Sequence, residues 1–432
     1  MVVEGNVNPN PIDGSWRVWI EPWFLSYAFL GMSVAGLAPI LLPLSVGREG
    51  SASDIGLVMG AFSLGGLSAP IWGAIADRRG LQRSLLISGL LETSAALALF
   101  PFASTLIARL VLALIQGVGA SSAATVANLF IVEAHPRPEW DERIGWLQTF
   151  YGAGQVLGLL IAGIVGGSDI RLGFMLAACI SFTACLPALS MKGTIRTGPF
   201  IRPVLSHPSR HSGNATGSPQ LFYHQLNANA LKHLGRSLIS PLSIFLFAWL
   251  ISYAGVAAFF SLYPILMVQV YSVDPALSSI GYAVAATAGL FLFAPSGVWS
   301  RTYGPMRVLR SGLVVRLMAF VVLLLAGIVD LGPTRWIALI SFALVVLAWS
   351  LLSVTGTEIT ARLSGDHEGE GLGLFNASTG IAGVFGAVIG GWCAGNWGYK
   401  MVSALGIVGV VGALFVSGIV NMLGKNQETQ EE

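Results

Sequence analysis

GAIADRRGLQRSLL, Gly73 to Leu86, is the stretch on which the fold turns. It sets Asp77, Arg78, Arg79 and Arg83 into a short break between two long apolar runs, near 54–75 and 84–103. Gly73 lets the first run approach a neighbour closely, and Gly80 permits a sharp reversal of the chain. A chain that leaves an apolar layer, turns on glycine among cations and re-enters reads as two membrane-crossing helices and the loop between them.

The rest of the chain repeats that pattern. Of 432 residues, 54% are apolar and 10% charged, with a mean hydropathy of +0.74. A soluble domain carries roughly 25% charge, so a water-covered surface is excluded. The runs do not alternate in the manner of a transmembrane β-barrel. An all-α membrane protein follows. Twelve spans are expected near 23–45, 54–75, 84–103, 105–131, 144–166, 170–190, 241–268, 276–299, 307–329, 335–357, 371–394 and 400–422. Each is long enough for a core of about 30 Å at ~1.5 Å per residue.

These spans divide the chain into an N-terminal tail (1–22), a six-helix bundle (23–190), a hydrophilic linker (191–240), a second bundle (241–422) and a C-terminal tail (423–432). The linker holds turn-rich text such as HPSRHSGNATGSPQ. The bundles echo one another. PIL at 39–41 returns at 264–266, and AP at 69–70 returns at 294–295. Gly73, Gly80 and Arg83 return as Gly297, Gly304 and Arg307, and Gly154, Gly158 and Ala162 return as Ala382, Gly386 and Gly390. Two pseudo-symmetric six-helix bundles are implied, related by an axis along the membrane normal.

Charge orients the array. Placing the N-terminus in the cytoplasm puts 17 Lys and Arg on that side against four (Arg48, Arg171, Arg335, Lys400) on the other. Lys and Arg accumulate on cytoplasmic loops, so both tails are expected inside the cell membrane. The tail at 1–22 has neither a basic nor an apolar segment of the signal-peptide kind, so no cleavable leader is expected.

The 73–86 segment resembles the cytoplasmic signature of the major facilitator superfamily through Gly73, Asp77, Arg78, Gly80 and the basic Arg83. LIQGVGASSAA (Leu114–Ala124) is similar to the family's fourth-span segment, although the usual arginine position holds Ala113. GAGQVLGLLIAG (Gly152–Gly163) is similar to the glycine-rich fifth span of the drug:proton antiporter branch, without that motif's proline. Glu133, Pro136, Arg143 and Gly145 fit the family's loop after span four. The resemblance implies a secondary transporter working by alternating access, with multidrug efflux as the branch it looks most like. It further implies a cytoplasmic gate in which Asp77 latches onto the start of span eleven. Arg301, standing where Asp77 stands in the first half, would face the acids Glu139, Asp141 and Glu142 before span five.

Charges inside the spans are few, and an ion there costs about 2.5–3.5 kcal/mol on insertion scales. Glu92, Arg109 and Arg316 are therefore candidates for coupling, with structural pairing the open alternative. Tyr27, Gln116, Gln155, Tyr253 and Asn376 are candidates to line a central cavity, and with Trp249 and Trp349 they suit an amphipathic, weakly charged small molecule. The small-residue stripes at Gly154/Gly158/Ala162 and Ala382/Gly386/Gly390 are read as helix packing.

Several classes of function are excluded or disfavoured. The net charge of +2 implies no nucleic-acid face. The chain carries neither a P-loop nor an HExxH motif, so no cofactor or metal is expected. Cys179, Cys185 and Cys393 lie in apolar runs without CxxC spacing and are expected as small buried side chains. An enzyme is disfavoured because no cluster of His, Cys or acids shares a depth. Expected partners are a small-molecule substrate, protons as the coupling ion and the lipid bilayer, with the chain acting as a monomer. Export of a largely apolar compound is the leading reading, with a metabolite importer or facilitator, or a non-transporting sensor, as the alternatives.

Overall fold

The computed structural model describes residues 19–136, 139–166, 169–191, 240–329, 334–365 and 368–431. Nearly all of the expected linker lies outside those residues. The side chains of Asp77, Arg78 and Asp141 also lie outside the description.

Among the described residues, twelve helices are long and apolar enough to cross a membrane. They are α1 (Phe24–Glu49), α2 (Ala52–Ala76), α3 (Gln82–Phe102), α4 (Leu106–Ala134), α5 (Glu142–Val165) and α6 (Ile170–Ala188). The second half holds α7 (Pro241–Tyr271), α8 (Pro275–Tyr303), α9 (Pro305–Ile328), α10 (Thr334–Ser364), α11 (Gly371–Trp397) and α12 (Met401–Gly418). Their starts are chemically marked. Ser51 and Asp54 form a reciprocal capping box at α2, while Asp274 and Ser240 accept from backbone N–H groups three residues on, each followed by proline. Gly80 closes the Ala69–Arg79 segment in the left-handed conformation, with φ of 62°, as the turn required.

The two halves use the same neighbours. In the first, α1 packs on α5 and α6, α3 on α4 and α6, and α2 on α4. In the second, α7 packs on α11 and α12, α9 on α10 and α12, and α8 on α10. Within lipid there is no hydrophobic drive between helices, so close backbone approach and hydrogen bonds must hold each bundle. The glycine stripes supply the first. A Cβ at Gly154 would lie 1.9 Å from the Ala28 carbonyl oxygen, and one at Gly386 would lie 2.2 Å from that of Ala254. Hydroxyls supply the second: Ser26 donates to Ala184 O (2.7 Å), Tyr271 to Leu323 O (2.7 Å) and Ser350 to Gly289 O (2.8 Å).

Two details depart from the sequence reading. Gly31–Leu37 of α1 is a π-helical turn set against α5, where Gly31 and Gly36 meet the backbone at Tyr151 and Gly158. The cysteine expectation holds only for Cys393, which is buried; Cys185 is half-buried and Cys179 is exposed on the outside of α6. A thiol is apolar enough to face lipid as readily as protein, so the apolar run did not decide its direction.

Candidate functional site

The halves meet along two seams, α2 against α11 and α5 against α8, with the Ala38–Glu49 end of α1 also touching α7. The seams are not uniform along their length. Toward the face that carries Arg48 they are tight: a Cβ on Gly56 would stand 2.4 Å from Ala387 O and one on Gly163 would stand 3.1 Å from Ala276 O. Toward the face that carries Gly80 they part. At Gly145 of α5, Gly297 of α8 and Gly373 of α11, a Cβ would meet nothing within 4 Å. The molecule is sealed at the Arg48 face and open at the Gly80 face.

Aromatic side chains cluster inside the second half, with Trp249 and Phe375 buried and Tyr253 and Trp349 half-buried. The rings of Trp249 and Phe375 lie 4.5 Å apart, and Tyr253 and Trp349 lie 5.5 Å apart. Trp249 Nε1 donates to Thr379 Oγ1 (2.8 Å), which fixes the indole on α11. Asn376, one residue beyond Phe375, is exposed. In the first half a cavity of about 310 Å³ is lined by Leu30, Val34, Phe62, Ser121, Ala124 and Tyr151 among others.

Tyr27 does not face open space. It is 4% exposed, packs on Tyr151 and accepts a hydrogen bond from Asn128 Nδ2 (3.3 Å). Gln148 donates to Asn128 Oδ1 (3.3 Å) and is itself exposed, so a polar chain runs from the bundle core to the surface of α5. Asn128 and Gln148 were missed in the sequence, where an amide inside an apolar helix was the available signal. Gln155 is half-buried beside α1. Gln116 is buried, and its amide has no hydrogen-bond partner among the described residues.

The three intramembrane charges have different surroundings. Arg109 sits in the first turn of α4, pairs with Glu49 at the end of α1 and donates to Ala103 O (3.0 Å). That gives it a structural partner at the sealed face. Glu92 is half-buried on α3 against Gly119. Arg316 is 2% exposed and makes no hydrogen bond or ion pair among the described residues; its electrostatic neighbour is Tyr253. At the open face, Arg143 bridges Glu21 (3.0 Å) and Glu139 (2.9 Å), and Gln82 donates to Glu133, tying α1, α4, α5 and the Gly80 loop together. Arg83 and Arg301 are exposed, and Arg301 forms no ion pair among the described residues.

A sequence profile described as Major Facilitator Superfamily matches residues 23–363. The chain belongs to that superfamily. Multidrug resistance protein 2 of Bacillus subtilis (strain 168) is 22% identical over 373 residues, covering 84% of this chain and 85% of its own. The crystal structure of the nucleoside transporter NupG superposes with a TM-score of 0.70 at 14% identity, over 94% of this chain and 97% of that one. That of a D-xylose-proton symporter superposes at 0.66 with 15% identity, over 93% and 97%. These structural likenesses show the facilitator fold. Membership makes the protein a multi-pass membrane transporter of small molecules rather than an enzyme.

Proposed function

We propose that this facilitator exports a small amphipathic compound from the cell by alternating access, driven by protons moving inward. The observation that carries the reading is the opening between the halves, sealed at one face and open at the other, with an aromatic cluster packed within the second half. Tyr253 and Trp349 are half-buried and are backed by the buried Trp249 and Phe375, an apolar ring surface that suits a ligand recognised by shape and stacking. The multidrug resistance relative supports the outward direction. The excess of Lys and Arg at the Gly80 face supports a cytoplasmic placement of that face and of both tails, and hence an inward-open conformation.

In this reading, Asp77 and Arg301 latch the Gly80 face when it closes and are free when it opens. Glu92 is the proton carrier, because among the described residues it is the acid placed at mid-span without a cation paired to it. Substrate and path lie within one chain, so the protein works as a monomer in the cell membrane.

The test is a growth panel of amphipathic inhibitors and metabolites on cells with and without the protein, repeated after collapse of the proton gradient. Export requires that expression lower sensitivity to some compounds and that collapse remove the protection. Raised sensitivity or raised uptake of a metabolite would establish an importer instead.

A further inference from the structure

The loop that echoes Gly73–Arg83 in the second half carries a pocket of its own. It is an open cleft of about 710 Å³ lined by Tyr303, Pro305, Arg307, Arg310 and Arg362 among others. These residues come from the end of α8, the start of α9 and the last turns of α10, so the pocket lies where three spans leave the apolar layer.

Among the described residues its charge is largely uncompensated. Arg362 pairs with Glu358, which also accepts from Ser300. Arg310 donates Nη2 to Ser417 O (2.8 Å), which anchors the guanidinium without neutralising it. Arg307 is exposed and has no hydrogen bond or ion pair among the described residues. Among the described residues, three guanidiniums thus share one carboxylate. The start of α9 adds to them: Gly304 offers no side-chain cap and Pro305 has no N–H, so the first free N–H groups of the helix open into the same space. Beside it, Tyr303 is 60% exposed and Trp299 is 41% exposed, one turn apart on α8. Such rings sit at the boundary of headgroups and acyl chains.

We propose that this pocket binds the phosphate of an anionic phospholipid. Arg307 and Arg310 hold the phosphate oxygens, the N–H groups of α9 complete the contact, and the acyl chains run along Trp299 and Tyr303 into the bilayer. The exposed rings set the pocket at the depth of the headgroups, so a lipid phosphate reaches it from the bilayer itself.

The full-length protein would be reconstituted in vesicles of phosphatidylglycerol and phosphatidylethanolamine, re-extracted in mild detergent and weighed intact by native mass spectrometry. The expected result is retained phosphatidylglycerol on the wild type. Retention should fall about tenfold in the Arg307→Gln/Arg310→Gln double variant and stay unchanged in Arg335→Gln on the opposite face. The Arg307→Lys/Arg310→Lys pair should recover much of the loss, which separates charge from misfolding should the glutamine variant unfold. Equal retention in wild type and glutamine variant would overturn the proposal, as would equal retention of phosphatidylethanolamine or failure of the lysine pair to recover. Release of the lipid by millimolar inorganic phosphate would assign the pocket to a soluble phosphate. None of these readouts involves transport, so the proposal stands or falls apart from the export reading.

Discussion

Adding one methyl group at Gly56 should tip the molecule from one open face to the other. A Cβ there would stand 2.4 Å from Ala387 O and 2.7 Å from the Cα of Gly391. Carbon reaches its best contact near about 3.5–4.0 Å, so the overlap is roughly 1 Å against two stretches of backbone. Neither stretch has a rotamer with which to yield. Overpacking of this kind costs about 1–3 kcal/mol. The cost falls on conformations in which α2 and α11 touch at the Arg48 face, and it vanishes once that seam parts. At ~2 kcal/mol the ratio of the two conformations shifts by about thirtyfold. Spin-label distances read the change, in a background lacking the three native cysteines. The Gly56→Ala variant should lengthen the distance between labels at Arg48 and Lys400 and shorten that between Glu142 and Arg301. All four positions are exposed. Unchanged distances in a variant with a native unfolding temperature would refute the argument that this backbone contact seals the face.

Three further outcomes are expected. Arg316→Met should leave the unfolding temperature equal or higher, because it removes a buried cation that has no ion pair among the described residues and costs about 2.5–3.5 kcal/mol on insertion scales, while reducing transport; loss of both stability and transport would assign Arg316 to the scaffold. Glu92→Gln should abolish uphill transport in vesicles with an imposed proton gradient while preserving downhill flux, and wild-type uphill transport would remove Glu92 from the coupling path. Asp77→Asn should weaken closure of the Gly80 face by about 1 kcal/mol, the worth of an exposed charge contact, seen as a several-fold shift in the Glu142–Arg301 distance distribution at normal expression.

The spans were legible because each needs some twenty apolar residues, and every interruption by charge, glycine or proline marks an end. The paired bundles were legible because glycines that touch backbone recur at fixed spacing, and Gly154, Gly158, Gly386 and Gly390 do lie in such contacts. Direction around a helix was harder to read. When lipid and protein interior are equally apolar, hydrophobicity no longer tells inside from outside, which is why Cys179 points outward while Cys393 is buried. Polar cavity candidates suffered the same ambiguity. Tyr253 lies in the aromatic cluster, Asn376 is exposed, and Tyr27 turns into its own bundle to meet Asn128. Arg109 read as intramembrane because Glu49 lay beyond the expected end of α1. The helix in fact runs on through Glu49 and brings the two together.

The seal at the Arg48 face is made of main chain, and that constrains how such a protein can change over generations. Where Gly56 lies against Gly391, mutation can only add atoms, and each addition intrudes on a carbonyl or a Cα that every sequence possesses. No compensating trim exists on the other side. A seam packed through side chains differs, because a larger residue on one side can be met by a smaller one on the other. Drift is therefore barred from altering this seal by the paired size exchanges that let other contacts change.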